Sequence, residues 1–167
     1  MKKTIAIMLT ALSFGMMAQT TTGKSDEKFA IDAAKAGAKE IKLGQMAISK
    51  GTTPEVRQLG QMMVDEHTKA AAELQASADR KGIKLPSAEA DAECKKCCED
   101  LSKKTGKEFD KAYTEMMVKD HKKVIALFKT EKDSGKDADL KSWAASTLPT
   151  LEHHLQMSED ACKNTKM

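Results

Sequence analysis

The sequence predicts an all-α protein: a four-helix bundle with an additional helix in the connector between the second and third main helices. Three observations predict it. Alanine, lysine, glutamate, leucine and methionine dominate the chain, a composition that favours helix. Prolines stand only at positions 54, 86 and 149, so long stretches run without a breaker. Four of those stretches carry apolar residues three and four apart, the spacing of one helical face.

The first helix is expected from about Asp26 to Ser49, stopped by "KGTTPE". Its stripe is Phe29, Ala33, Ala36, Glu40, Leu43 and Ala47. Thr53 caps the second helix, Pro54 takes its first position and Glu55 its first turn. That helix runs to Lys81 and ends at Gly82, with the stripe Val56, Leu59, Met63, His67, Ala70 and Leu74. The connector carries a helix from about Ser87 to Lys104. The third main helix starts near Lys107 and ends by Ser134–Gly135, with the stripe Phe109, Tyr113, Met117, His121, Val124 and Phe128. The fourth spans about Asp137 to Asn164, with Leu140, Ala144, Thr147, Leu151, His154, Ser158 and Ala161 on its stripe. Pro149 lies inside it, where a kink is expected. At 1.5 Å per residue, each main helix is about 40 Å long.

Two segments repeat a phrase: "QMMVDEHTK" at Gln61–Lys69 and "EMMVKDHKK" at Glu115–Lys123. Both fall at mid-helix, and both put a histidine on the core stripe. A wider pairing at a spacing of 80 carries Phe29 onto Phe109 and "KEIK" onto "KDHK", which suggests a duplicated helical hairpin. Each stripe is interrupted once near its middle, by Glu40, His67, His121 and His154. Helix midpoints share one height in a bundle whichever way each helix runs, so these four side chains are expected to converge. A buried carboxylate or imidazolium without a partner costs several kcal/mol. A metal ion satisfies all four groups at once, and three imidazoles with a carboxylate suit zinc, iron or copper. A metal-free Glu–His hydrogen-bond network satisfies them equally. Glu66 and Asp120 flank the histidines as further ligands or outer acceptors, and helical phase does not separate Asp120 from His121. His153, about 100° around from His154, is expected in solvent.

The Glu-x-x-His pattern of di-iron bundles is absent: Val64, Val118 and Leu151 stand three residues before the histidines. Methionines 46, 62, 63, 116, 117 and 157 invite a copper reading, although flexible core filling is the commoner use of methionine.

The chain opens with Lys2 and Lys3, an apolar run from Ile5 to about Met17, and small or polar residues at Ala18–Gln19. That is the layout of a signal peptide over residues 1–18, leaving 19–167 as a single bundle domain in the periplasm, cell envelope or outside. The net charge of +3 loses two lysines with the leader, which argues against nucleic-acid binding. No segment after the leader suggests membrane insertion, and the lysines, mixed with acids, read as solvated helix faces. In an exported chain Cys94, Cys97, Cys98 and Cys162 favour disulfides; a thiol or metal cluster at "CKKCC" is the other reading. A connector that crosses the whole bundle brings only one of its ends toward Cys162.

The blocks "AAKAGAKEIKLGQMAISKGTTPEVRQLGQMMVDEH", "GKEFDKAYTEMMVKDHKK" and "LKSWAASTLPTLEHHL" resemble an exported bacterial family of unknown function, ferritin-like four-helix bundles often labelled "predicted outer membrane protein". The resemblance spans about Phe29–Met157. It implies a long connector with its own helix, and family motif positions at Glu40, His67, Asp120, His121 and His154. Glu66 stands where the family motif has an aspartate, and "CKKCC" departs from the family pattern. The leading reading that follows is an exported envelope protein that binds something rather than catalyses, with a metal ion in the polar layer as its most concrete version. The alternatives are a redox or hydrolytic metalloenzyme and a metal-free structural or stress-protective bundle.

Overall fold

Five helices account for the architecture in a computed structural model that describes residues 22–87 and 91–165. They are α1 (Lys24–Lys50), α2 (Pro54–Lys81), α3 (Ala92–Ser102), α4 (Gly106–Ser134) and α5 (Ala138–Asn164). The four main helices begin and end within two residues of the expected positions. The leader at 1–18 and the start of the expected connector helix lie outside the described residues. Within them α3 is shorter than expected: it begins after its cap, Asp91, whose carboxylate accepts from the Cys94 amide, and ends before Lys103. Thr53 caps α2 through the Val56 amide, and Gly82 closes that helix in the left-handed conformation at φ 68°. α5 continues as one helix through Pro149.

Aromatic contacts fix the helix directions. Phe29 near the start of α1 packs edge-on against Phe128 late in α4, with centroids 5.0 Å apart, while Lys50 at the end of α1 covers Phe109 early in α4. Glu73 late in α2 accepts from the Trp143 indole early in α5. Neighbouring helices are therefore antiparallel. α2 ends at the pole where α5 begins, tied there by Lys81 to Asp137 at 2.7 Å, whereas α4 begins at the opposite pole. The segment between them spans the length of the bundle, and α3 is the helix within it, the connector helix that the family resemblance implied. α3 lies along α1, with Glu93 near Lys39 and the Ser102 carbonyl accepting from Lys50.

Each hairpin's turn is clasped by an aspartate from the other hairpin. Asp26 of α1 accepts the amides of Lys136 and Asp137 in the α4–α5 turn, at 2.7 and 3.2 Å. Asp110 of α4 accepts the amide of Thr52 in the α1–α2 turn at 3.0 Å, and its hydroxyl as well. The two clasps sit at opposite poles, fixing the hairpins against sliding.

The interior is two apolar clusters. One, at the Asp26 pole, contains Phe29, Leu74, Val124, Phe128, Leu140 and Leu151; the other, at the Asp110 pole, contains Leu43, Leu59, Met63, Phe109, Tyr113 and Met117. Residues 40, 67, 121 and 154 lie between them. α1 and α2 approach each other closely at Gly44 and Gly60: a Cβ on either would lie 2.7 Å from the other's carbonyl oxygen. Only hydrogen fits there, and that contact sets the separation of α1 and α2 one to two turns from Glu40 and His67.

Gly44→Ala is expected to lower stability by roughly 1–3 kcal/mol in chemical denaturation, because backbone rather than a flexible side chain must yield. Gly37→Ala, whose added Cβ meets nothing nearer than the His67 ring at 3.9 Å, is expected to stabilise by up to about 1 kcal/mol through helix propensity. Equal effects from the two substitutions would contradict this account of the contact.

Candidate metal centre

Each main helix supplies one ionisable group to a layer at mid-height: Glu40 from α1, His67 from α2, His121 from α4 and His154 from α5. All four are buried, with 1%, 6%, 0% and 1% exposure. The three rings lie with centroids 5.0–5.8 Å apart. One donor nitrogen from each histidine falls within 4.8 Å of the others. Glu40 adjoins this set, with Oε2 at 3.2 Å from His67 Nε2 and Oε1 at 3.5 Å from His121 Nδ1.

Hydrogen bonds dictate how two of the rings present themselves. His121 Nδ1 lies 2.9 Å from the Met117 carbonyl, which can only accept, so Nδ1 carries the proton and Nε2 a lone pair. His154 Nε2 lies 3.0 Å from the Glu66 carboxylate and donates to it, which leaves the lone pair on Nδ1. These two lone-pair nitrogens, His121 Nε2 and His154 Nδ1, face each other at 3.3 Å. Neither has a proton to give the other. Two ligands on a tetrahedral ion with metal–nitrogen bonds of 2.0–2.1 Å are separated by about 3.4 Å. The His67–Glu40 contact at 3.2 Å is slightly shorter. It is close but poorly aligned: His67 Nε2 and both Glu40 oxygens are buried without a hydrogen-bond partner. The layer thus presents two donor pairs, each at the spacing of a tetrahedron's edge, with their own hydrogen bonding incomplete. That is the donor chemistry a zinc-class ion satisfies.

Burial sets the charge states. It pushes His67 from its ordinary 6.5 down to about 3, with His154 and His121 adding to the shift. It pushes His121 down to about 4, against the Met117 carbonyl, and lowers His154 against the pull of Glu66. Neutral imidazole is the form that ligates. Burial, reinforced by Asp120, drives the Glu40 carboxyl up to about 8.

The outer candidates divide. Glu66, half-exposed, reaches over the layer to His154 as an acceptor. Asp120 turns the other way, toward α3, and pairs with Lys39 at 2.8 Å. The two residues that helical phase could not separate therefore serve two sites. His153 is exposed, as expected. Met63 and Met117 belong to the apolar cluster one turn from the layer, with Met46, Met62 and Met116 packed against it, while Met157 is 41% exposed. Apart from Met157, their placement is that of core filling.

The sequence reading missed two groups. Lys39 is buried, although lysines were assigned to solvated faces. The Tyr113 hydroxyl, counted as part of an apolar stripe, is buried without a partner, and burial and the Glu40 charge both raise its pKa. No composition signal marks either; only the crossover packed on α1 and α4 buries Lys39.

The cysteines are four free thiols. Cys94 and Cys98 interact one turn apart on α3, and burial with that neighbour lifts Cys98 to about 11, the mark of an unreactive thiol. Cys162 is buried on α5 at the Asp110 pole, where Leu101 at the end of α3 joins the same apolar cluster as Ala161.

A pH dependence follows for the metal-free protein. Below pH about 6.5 the unfolded chain protonates its histidines while the folded layer resists, so stability falls as pH drops, by about 2 kcal/mol for each of His67 and His121 by pH 5. Glu40, with its folded value raised to about 8, holds a proton in the fold that the unfolded chain releases. Its contribution declines from pH about 4.5 upward and is gone above about 8. Urea unfolding in chelator from pH 5 to 9 is expected to show maximal stability near neutrality. His67→Gln should flatten the acid limb; an unchanged limb would contradict the burial of a neutral ring.

Residues 11–161 match the model of a protein family described as "Domain of unknown function (DUF4142)". No protein with a curated description matches the chain. The fold is similar to the crystal structure of a conserved hypothetical protein, rv2844, from Mycobacterium tuberculosis. The two align with a TM-score of 0.66 at 14% identity, over 84% of this chain and 92% of that one. At that identity the likeness speaks for the fold alone. The family match covers nearly all of the sequence and every residue of the mid-bundle layer, and the chain belongs to the DUF4142 family.

Proposed function

We propose that this protein is an exported envelope protein that binds one transition-metal ion in the layer at the middle of its core, with His67, His121 and His154 as nitrogen ligands and Glu40 as the carboxylate. The observation that carries this reading is the pair of imidazole lone pairs facing each other at 3.3 Å, each ring's N–H being committed outward to Met117 or Glu66. Outward N–H bonds to carbonyl or carboxylate are the usual support of a metal-bound histidine. Zinc fits this mixture of imidazole and carboxylate first, with iron and copper behind it. Four protein donors close a tetrahedral ion, and a closed sphere suits a held ion better than a catalytic one. The leader pattern at residues 1–18 supports export. Among the described residues no helix is long and apolar enough to cross a membrane.

Zinc titration of purified, chelator-stripped protein is expected to give one site per chain. At a free zinc level 100-fold above Kd, it should stabilise the fold by about 2.7 kcal/mol. The His67→Ala/His121→Ala double variant should lose both the uptake and the stabilisation. Equal zinc content in wild type and double variant would contradict the assignment.

A further inference from the structure

A cleft of about 510 Å³ opens between α1, the crossover and α4, and its floor is the edge of the layer. Asp91 and Glu93 stand on its walls with Lys35, and Lys39, Glu40 and Asp120 lie at its base. Glu40 is 1% exposed and lines the cleft with two oxygens that no donor reaches. Beside it, the Lys39 ammonium stands 2.8 Å from Asp120 Oδ2 and 3.5 Å from Glu93 Oε1. A cation, supplied by the chain itself, thus already sits among carboxylates next to Glu40. On the other side of Glu40, the gap lined by Gly37, His67 and Ala70 offers only about 30 Å³, room for about one water molecule and not for a hydrated ion.

Resting on the metal reading above, we propose that this cleft is the vestibule through which a hydrated divalent cation reaches the histidine layer, and that the Lys39 ammonium is its exchangeable plug. A divalent ion competes for Asp120 with twice the charge of lysine. The flexible lysine stem lets the ammonium withdraw toward Glu93, whose side chain is 66% exposed, and so keep a partner as it clears the base. The ion then meets the two unpartnered oxygens of Glu40, the one member of the layer shared by the cleft and the smaller gap beside His67. Release runs the same path backward, so Lys39 governs both directions.

The test is stopped-flow zinc association, and release into excess chelator, on the full chain. Lys39→Met keeps the stem and removes the charge. It should speed association and release alike, each by roughly tenfold, with Kd changing less than either rate. Lys39→Arg should slow both, because a guanidinium grips Asp120 through two bonds, and it carries the test alone if the methionine variant fails to fold. Lys35→Met, on the exposed rim, should leave both rates within about twofold of wild type, as expected for a surface charge. Unchanged rates in the Lys39 variants would overturn the plug. So would faster association with unchanged release, which is what a charge acting only on approach produces. A wild-type chain that takes up no zinc overturns the reading of the layer, and the vestibule with it. Zinc uptake with indifferent Lys39 variants overturns the vestibule alone.

Discussion

Two neutral imidazoles on neighbouring helices are held with lone pairs facing at 3.3 Å, both rings buried in the core. Left alone, that arrangement forfeits a hydrogen bond and sets two negative ends of ring dipoles against each other. It persists because each N–H is already spent, one on the Met117 carbonyl and one on Glu66. The layer also divides the core in two, interrupting apolar packing where a helical bundle would otherwise be continuous. Replacing it by aliphatic side chains would give up the hydrogen bonds to Met117 and Glu66, but it would remove the buried polar atoms that have no partner and gain contact area. Three histidines and a glutamate there cost apolar packing, and on the proposed reading an ion between the rings is what offsets that cost.

Much of the remaining structure keeps that level in register. Asp26 and Asp110 clasp the opposite turns, so neither hairpin can slide along the other. The Gly44–Gly60 contact sets how near α1 and α2 lie, and so how near Glu40 lies to His67. The crossover helix covers the α1–α4 side, which turns Lys39 and Asp120 from surface charges into a buried pair. These devices come from both halves of the chain, in keeping with the repeated Met-Met-Val-x-acid-His phrase, since each half contributes one turn and one clasp.

The helices and their faces were legible because their signals are local. A stripe at spacings of three and four, the Thr53–Pro54 start and the Gly82 stop follow from short-range sterics and hydrogen bonding. The mid-height meeting of Glu40, His67, His121 and His154 was legible because bundles align helix midpoints. What escaped was what depends on one element lying against another. Lys39 reads as a solvated residue until α3 is placed over it. Asp120 and His121 are neighbours on one turn, and only the crossover's position tells which faces the layer. Gly44 and Gly60 carry no sequence signal, because their role is in the distance between two backbones. The tautomers of His121 and His154 likewise come from a carbonyl and a carboxylate whose positions are tertiary facts.

Zinc-edge anomalous diffraction from crystals grown with one equivalent of zinc tests the central claim most directly. The account predicts one strong peak about 2.0–2.2 Å from His121 Nε2, His154 Nδ1 and a nitrogen of His67, with Glu40 turned to complete the set. An empty layer, or zinc seated at the thiols of α3 with the rings unchanged, would contradict it.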